Sequence, residues 1–367
     1  MSIKKLVEIQ RPASVVFYSY IGDTMGCGTI RIIYPSLLMP HLRIKGYSFS
    51  AFYSPYFIND LNFYKSFSFV QFQRSATKPH LEIFKHFANS IRRQTNTPLI
   101  YEIDDLLTEI PVWNFAHEYY KENIENIKEM MKIADGMTVS TSKLKEVYSE
   151  YNSNIEVIPN HLPKFIWGNI YPKHDNEPNI KRPRIMWAGS QNHFAQKHMK
   201  GVKGGDFGSK LMDFIRKTVN DYQWIFSGSH PLELSDIKDK LEIYGWKNVF
   251  EYPKHFRSLE PDICIAPLEK GLFNDCKSNI KMLEFTAVGA PGIYSNAYPY
   301  RKATLQSDTD DEMISMIETL AKDVDMRERV YNKDYETVRG QLWWEESTNL
   351  NIYINKYLKL FKKRLQK

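Results

Sequence analysis

The feature that most constrains this chain is the alternation of short apolar runs with helix-type periodicity, repeated in two series. In the first series, residues 14–20, 97–105 and 136–141 have strand composition, and each precedes a segment with helical spacing. The segment 167–183 then holds three prolines and no periodicity, and 184–190 begins a second series. Strands that alternate with helices predict parallel sheets, so the sequence predicts an α/β fold in two halves.

These patterns place an N-terminal domain at 1–166, a linker at 167–183 and a C-terminal domain at 184–340. Residues 80–94 and 116–134 each predict one helix, whereas the basic-aromatic stretch 252–257 predicts a loop. The end of the chain, 341–367, predicts a long helix with an apolar stripe at Ile354, Leu358 and Phe361. Its basic tip suits either solvent or contact with anionic lipid or nucleic acid.

Composition narrows the classes of protein that the chain can belong to. A hydrophobic share of 43% and a charged share of 25% are typical of a globular protein. No apolar run approaches the roughly 18 residues that span a bilayer, so we expect no stable membrane insertion. Cys27, Cys264 and Cys276 are far apart, which indicates a reducing cytoplasm rather than disulfides or a zinc ribbon. The net charge of +6 permits a polyanionic partner without requiring one, and the oligomeric state stays open.

Polar residues and glycines stand where several predicted strands end. The predicted strand 97–105 ends in Asp104 and Asp105, the strand-like run 184–190 ends in Gly189 and Ser190, and Gly228 ends another. Ligands of open α/β sheets bind at the carboxyl ends of the strands, so these residues predict a ligand site. Adjacent residues on a strand point to opposite sides, which argues against Asp104 and Asp105 as joint metal ligands.

The stretch 273–296 concentrates charge at the predicted start of a helix. Ser278 is a good N-cap residue, and Gly289 suits the end of the helix. Lys277 and Lys281 would reinforce the attraction of a helix N-terminus for phosphate. Glu284, one turn further on, has the chemistry to accept hydrogen bonds from both hydroxyls of a ribose. The alternative is a surface ion pair between Lys281 and Glu284, worth a few tenths of a kcal/mol.

The first strand-to-helix turn offers a second set of candidates. Gly26 and Gly28 would let a ligand approach the backbone, although a plain turn explains both glycines equally well. Arg31 follows them and has the charge to meet a phosphate. His193 lies in a loop of the second half, where either a cleft or a surface position fits the sequence.

Six stretches, taken in this order and spacing, resemble the group-one glycosyltransferases, which have two facing Rossmann-like domains, the GT-B architecture. The resemblance is strongest to the DNA-modifying glycosyltransferases of T-even-type bacteriophages. The stretches are GCGTIRIIYP (26–35), YEIDDLL (101–107), DGMTVST (135–141), VIPN (157–160), WAGS (187–190) and KSNIKMLEFTAVGAPGIYS (277–295). This resemblance implies that the C-terminal helix crosses back onto the first domain.

The resemblance also implies roles for individual residues. Glu284 matches the second glutamate of the family's E-x7-E signature, while Cys276 stands at the first and Ser190 replaces the usual arginine after the strand-end glycine. The donor site would consist of Gly189, Ser190, Lys203, Gly228, Lys277, Ser278, Lys281 and Glu284. The acceptor site would consist of Gly26, Gly28, Arg31 and His193. Catalysis would involve Asp104, Asp105 and Lys281.

The implied activity is sugar transfer from a nucleotide-sugar, with retention and without metal or cofactor. The donor would be a UDP-linked hexose or pentose such as glucose or arabinose. The acceptor favoured by the resemblance is 5-hydroxymethylcytosine in double-stranded phage DNA, in the host cytoplasm. Residues 86–93 and 252–258 are basic and aromatic enough to contact such DNA, although ordinary surface fits them as well. Two alternatives stay open: transfer to a polysaccharide or glycolipid, and a non-catalytic module that binds nucleotide-sugars.

Overall fold

The computed structural model describes residues 14–44, 47–58, 60–95, 97–168, 182–195 and 204–365. Within these residues the strands form two sheets, one in each half of the sequence. The predicted linker 167–183 lies largely outside the described residues, so the domain boundaries 1–166 and 184–340 stay predictions.

The first sheet has the strand order β2-β3-β1-β4-β5-β6-β7 and is parallel except for β2, which pairs antiparallel with β3. Its strands are β1 (Ser14–Tyr20), β2 (Arg43–Ile44), β3 (Tyr47–Ser54), β4 (Phe69–Gln73), β5 (Leu99–Ile103), β6 (Gly136–Val139) and β7 (Ile155–Val157). Buried positions in β4, β5 and β6 run without alternation, because helices cover both faces of this sheet.

The helices of the first half are short except for one. They are α1 (Gly26–Gly28), α2 (Tyr34–Leu38), α3 (Leu61–Tyr64), α4 (Lys78–Gln94), α5 (His117–Lys121), α6 (Ile124–Ile133), α7 (Ser142–Tyr148) and α8 (Lys164–Trp167). A π-helical segment, Thr29–Ile33, joins α1 to α2, and Met39–His41 is a 3₁₀ turn. Helix α4 buries Leu81, Phe84, Phe87 and Ile91, which confirms the predicted apolar face.

The second sheet has the order β10-β9-β8-β11-β12-β13 and all its pairs are parallel. Its strands are β8 (Arg184–Ala188), β9 (Gln223–Gly228), β10 (Glu242–Gly245), β11 (Ile263–Ala266), β12 (Gly292–Ser295) and β13 (Gln306–Ser307). Its helices are α9 (Ser209–Thr218), α10 (Tyr252–Ser258), α11 (Leu272–Asp275), α12 (Ile280–Ala287), α13 (Asp310–Lys322) and α14 (Val324–Leu342). The 3₁₀ segments are Gln191–His193, Leu232–Lys240 and Tyr298–Tyr300.

The last helix, α15 (Ser347–Leu365), packs on the first sheet, which confirms the predicted crossover. It buries Tyr353, Ile354 and Tyr357 against a cluster that includes Phe17 of β1 and Phe69 of β4. Of the predicted stripe, Ile354 is buried in this cluster and Leu358 packs against it, while the side chain of Phe361 lies outside the described residues. Tyr353 and Tyr357 widen this stripe with two aromatic rings that the sequence analysis did not include.

Two other expectations about local structure are wrong. Residues 116–134 form two helices, α5 and α6, because the chain turns at Glu122 and Asn123 instead of continuing one helix. Residues 252–258 form helix α10 rather than a loop, and this helix buries Pro253 and Phe256. The proline stands in the first turn of α10, where it has no hydrogen bond to lose.

Candidate functional site

A cleft of about 640 Å³ lies between the two halves, at the carboxyl ends of both sheets. Its walls combine residues after β1, β4 and β5 with residues after β8, β9 and β11, so it has the position expected for a ligand site in open α/β sheets. Direct hydrogen bonds join the halves around this cleft. They run from Trp113 Nε1 to Glu269 Oε2 (2.5 Å), from Asn160 Nδ2 to Ser278 Oγ (2.8 Å) and from Thr141 Oγ1 to the Cys276 carbonyl (3.0 Å).

Two glycines let the ends of β8 and β9 come together on the second-half wall. Gly228 has φ +97°, and a Cβ there would lie 2.4 Å from the Gly189 carbonyl oxygen. The close approach of the two backbones excludes a side chain at Gly228. This glycine is therefore required for packing and not only for a flexible turn. Ser190, which follows, lines the cleft and accepts a hydrogen bond from the Asn192 backbone N–H at 3.3 Å.

Helix α12 supplies the charged part of the same wall. It begins at Ile280 with Asn279 in the N-cap position, so the prediction that Ser278 caps the helix is wrong. Ser278 instead accepts the hydrogen bond from Asn160 of the first half, which fixes it across the cleft. The helix ends as predicted, because Gly289 has φ +79° and continues the chain out of the last turn.

Glu284 is held in the cleft rather than on the outer surface. Its Oε2 accepts hydrogen bonds from Lys281 Nζ at 2.7 Å and from Tyr252 Oη at 3.2 Å. The carboxylate side chain is only 6% exposed, and the Lys281 side chain is 19% exposed, so their pair is not the solvated surface pair that sequence spacing allowed. Among the described residues, no hydrogen bond reaches the second oxygen, Oε1.

Lys277 also lines the cleft, with its ammonium group 4.5 Å from the centre of the Phe273 ring. The neighbouring Cys276, which stands where the resembled signature has its first glutamate, is fully buried against the core of the first half. Burial raises the pKa of its thiol to about 12, so this residue offers a ligand neither a charge nor an exposed atom.

The first-half wall carries an ion cluster of Arg74, Asp104 and Asp105. The Arg74 guanidinium donates to Asp104 Oδ1 at 2.5 Å and to Asp105 Oδ2 at 2.7 Å. The expectation that these carboxylates point to opposite sides is wrong, because both residues lie beyond the end of β5, where strand alternation no longer applies. Burial pushes the pKa of Asp104 upward, but the charge and hydrogen bond of Arg74 outweigh it and hold that pKa below its usual value.

The candidates near the first turn divide between the cleft and the core. Gly26 lines the cleft and has open space around it. Gly28 is buried, and a Cβ there would lie 2.0 Å from the Asp23 carbonyl oxygen, so it serves packing. The glycines form the first turn of α1 rather than a preceding loop.

Arg31, predicted to meet a phosphate, is buried away from the cleft walls. Its Nε donates to Glu102 Oε1 at 2.7 Å, and its Nη1 donates to Asn160 Oδ1 at 2.9 Å and to the Ile158 carbonyl. The guanidinium therefore has its partners inside the protein, where it ties β5 to the chain that follows β7.

His193 lines the cleft and pairs with Asp206, a residue that was not among the candidates from the sequence. Its Nδ1 lies 2.6 Å from Oδ2 of Asp206, whose side chain is fully buried. Burial lowers the pKa of His193, the Asp206 carboxylate opposes that shift, and the charges of Lys277 and Lys281 add to it. Lys203, the remaining predicted donor contact, lies outside the described residues.

Several cleft residues escaped sequence reasoning. Arg74 follows β4 as directly as Asp104 follows β5, so the strand-end signal was present for it. Tyr252 stood in the stretch considered for DNA contact, and its spacing from Glu284 gave no sign of a hydrogen bond. Trp246 comes from a loop whose position depends on the tertiary fold, and so does Asp206, which does not line the cleft itself but contacts His193.

No protein-family model matches the sequence, and no curated protein sequence matches it. Solved structures do match. The Anabaena protein HepE, in complex with UDP and glucose, aligns with a TM-score of 0.59 and 11% identity, over 94% of this chain and 98% of its own. An α-glucosyltransferase in complex with UDP-glucose and DNA containing an abasic site aligns with a TM-score of 0.59 and 12% identity, over 93% and 98%. An O-GlcNAc transferase mutant of Thermobaculum terrenum gives 0.54 and 10%, over 98% and 70%.

At these identities the likeness is one of fold. The chain has the GT-B fold, with two facing Rossmann-like domains and a C-terminal crossover helix, as its sequence predicted. In the part of the chain that the structure describes, no helix is long and apolar enough to cross a membrane. The same residues contain no group of three or more His, Cys, Asp or Glu side chains arranged to hold a metal ion.

Proposed function

We propose that this protein is a glycosyltransferase that moves a sugar from a nucleotide-sugar to a hydroxyl group. One observation carries the proposal: Glu284, Lys281 and Lys277 meet at the start of α12, on one wall of an interdomain cleft in a GT-B fold. The opposite wall presents Asp104 and Asp105. A donor site and an acceptor site therefore face each other across one cavity.

In the proposed donor site, each side chain or backbone segment contacts a different part of the nucleotide-sugar. The free Oε1 of Glu284 accepts hydrogen bonds from the ribose hydroxyls, and Gly189, Ser190 and Gly228 leave room for the diphosphate beside the backbone. Lys277 and Lys281 stabilise the charge that grows on the diphosphate as the sugar C1–O bond breaks. The acceptor oxygen forms the new bond to C1 while its proton passes to the leaving phosphate, with retention at C1.

We propose uridine as the nucleotide and glucose as the first sugar to test. Two solved structures with the same fold hold UDP with glucose and UDP-glucose, respectively. Titration of the protein with UDP, and with the other nucleoside diphosphates as matched controls, tests the base. Equal binding of all of them would contradict uridine as the nucleotide, and binding of none would contradict the proposed donor site.

For the acceptor, we propose 5-hydroxymethylcytosine in DNA, which would place the reaction in the cytoplasm. Its support is the sequence resemblance, together with the same-fold α-glucosyltransferase whose complex contains DNA. The target base of a duplex has to leave the stack to reach a cleft of this size. Transfer should therefore be faster on a hydroxymethylcytosine opposite a mismatch than on a paired one, and equal rates would argue against this acceptor.

A saccharide or glycolipid acceptor is the second candidate, and the distribution of charge favours it. Residues 14–168 hold 15 basic and 15 acidic side chains, so the positive charge of the first half is concentrated on the C-terminal helix that packs on its sheet. Residues 347–367, in contrast, contain five Lys and one Arg and no acidic residue. Transfer to neutral oligosaccharides or to lipid-linked sugars, without transfer to DNA, would establish this candidate instead.

The third possibility is a module that binds nucleotide-sugars without catalysis, since Cys276 replaces the first signature glutamate. Substitution of Asp105 by Asn separates it from an enzyme, because Asp105 lies on the acceptor wall, away from α12. If Asp105 orients the acceptor hydroxyl, as we propose, an enzyme should lose turnover while it keeps its affinity for UDP. A binding module shows no turnover in either form.

A further inference from the structure

The segment that carries His193 is fixed to the segment that carries Asp206 at several points. The backbone N–H of Asp206 donates to the His193 carbonyl at 2.9 Å, and Phe194 forms an antiparallel bridge with Gly205. Gly205 has φ +144°, and a Cβ there would lie 2.8 Å from the His193 carbonyl oxygen. The two segments therefore lie in direct contact. Their contact places the His193 imidazole beside the Asp206 carboxylate.

The carboxylate of Asp206 is satisfied on both oxygens. Oδ2 meets His193 Nδ1 at 2.6 Å, while Oδ1 accepts from the Glu269 backbone N–H and from Asn274 Nδ2, each at 2.8 Å. Two donors on Oδ1 and the ring nitrogen of His193 against Oδ2 leave this buried carboxylate no freedom to rotate. Such a group fixes the proton of a neighbouring imidazole on the nitrogen that it contacts.

The imidazole ring is also held by packing. The indole of Trp187 lies edge-on to it, with ring centres 5.5 Å apart. On another side, a Cβ at Gly189 would lie 3.1 Å from His193 Cδ2, so the ring carbon beside Nε2 faces the end of β8. With Nδ1 bound to Asp206, Nε2 is the nitrogen left for a ligand, and His193 lines the cleft.

We propose that Asp206 is a positioning residue, which keeps the His193 proton on Nδ1 so that Nε2 accepts a hydrogen bond from a sugar or acceptor hydroxyl in the cleft. This inference rests on the proposed function, and it gives Asp206 a role that sequence spacing did not suggest. It also connects the ring to a hydrogen bond between the two halves. Glu269, whose backbone N–H binds Asp206, receives the side-chain hydrogen bond from Trp113 of the first half.

The first test is the tautomer of His193, measured by long-range ¹H–¹⁵N correlation on the full-length protein near pH 7.5. The inference predicts a protonated Nδ1 and a bare Nε2, and it predicts that Asp206→Asn disturbs this state. A proton on Nε2 in the wild-type protein would overturn the inference, and this result does not depend on any enzymatic activity.

The second test is kinetic, with Asp334→Asn as the matched control. Asp334 is also buried, and it accepts a backbone hydrogen bond from Thr304 outside the cleft. Asp206→Asn should reduce transfer by about 10- to 100-fold, the loss expected when a buried hydrogen-bond partner is removed. Its affinity for UDP should stay within about twofold, because UDP lacks both the transferred sugar and the acceptor, and its ribose hydroxyls meet Glu284 in the proposed site; Asp334→Asn should change neither quantity.

A double-mutant cycle and a pH profile distinguish positioning from a purely structural role. If Asp206 acts through His193, adding Asp206→Asn to His193→Ala should cost little further activity; additive losses would overturn the inference. The Asp206 carboxylate stabilises the charged form of His193, whereas the charges of Lys277 and Lys281 disfavour it. Removal of the carboxylate should therefore lower the pKa of His193 and move the acid limb of the pH–rate profile to lower pH. An unmoved limb would indicate that Asp206 only supports the fold.

Hydrolysis of the nucleotide-sugar without acceptor identifies the source of the hydroxyl. If Nε2 binds the donor sugar, Asp206→Asn should slow hydrolysis and transfer equally. If it binds the acceptor, transfer alone should fall. If the wild-type protein neither transfers nor hydrolyses any nucleotide-sugar, the proposed function fails, and the tautomer measurement decides the inference about Asp206 by itself.

Discussion

Substitution of Glu284 by Ala tests the donor site most directly among single changes. In the structure, Oε2 of this carboxylate is bound by Lys281 and Tyr252, and Oε1 is left for a ligand. A hydrogen bond to a charged group contributes about 1.5–3 kcal/mol, which corresponds to about 10- to 150-fold in affinity for UDP. We expect the lower half of this range, because the substitution also frees the Lys281 ammonium to attract the diphosphate.

The assay is calorimetric titration of UDP into wild-type and Glu284→Ala protein at matched salt, with thermal unfolding to verify that both are folded. Glu336→Ala is the control, since Glu336 is a helical glutamate in an exposed ion pair with Arg339, three residues apart like Lys281 and Glu284. The control should bind UDP as the wild type does. A folded Glu284→Ala protein with unchanged affinity would refute the assignment of Glu284 to the ribose.

Three further predictions concern groups that hold the site in place. Arg31→Ala should lower the free energy of unfolding by about 3–5 kcal/mol in a denaturant titration, because it leaves the buried Glu102 carboxyl without its ion-pair partner. Burial lowers the pKa of His161 from 6.5 to about 4, so its contribution to stability is complete above pH 6.5 and falls as pH drops to 4. That loss, about 3 kcal/mol, should be absent in His161→Gln. Gly228→Ala should lower both the melting temperature and the affinity for UDP, because its Cβ would collide with the Gly189 carbonyl and strain a positive φ by about 1–2 kcal/mol.

The sequence predicted the architecture well where the pattern was local and repetitive. Examples are the apolar spacing of α4 and the apolar runs that form β5, β6, β8 and β11. Both patterns reflect burial in layers of helices and sheet, which alternating helices and strands form in general. The edge strand β10 and the break between α5 and α6 were missed. An edge strand is buried less than a central one, so its sequence carries a weaker apolar pattern. Helix α5 has no buried residue, so a break beside it costs little and leaves no mark in the apolar spacing.

The site was predictable in its location but not in its contacts. Strand-end residues identified the cleft, because parallel strands end on one edge. Arg31 shows the limit of this reasoning, since a cation near a glycine turn serves a ligand or a buried partner equally well in sequence terms. Its partner Glu102 lies 71 residues away, as Asp206 lies 13 residues from His193 and Tyr252 lies 32 from Glu284. Such pairings are set by tertiary packing, which a single sequence does not encode in its spacing.

The measurement that tests the central claim most directly is a transfer assay with mass readout. The protein is incubated with UDP-glucose, and in parallel with other nucleotide-sugars, together with duplex DNA that contains either cytosine or 5-hydroxymethylcytosine. After digestion to nucleosides, the account predicts a gain of one hexose on the hydroxymethylated base alone. Absence of transfer to DNA and to saccharides, with no hydrolysis of any nucleotide-sugar and no binding of UDP, would contradict it.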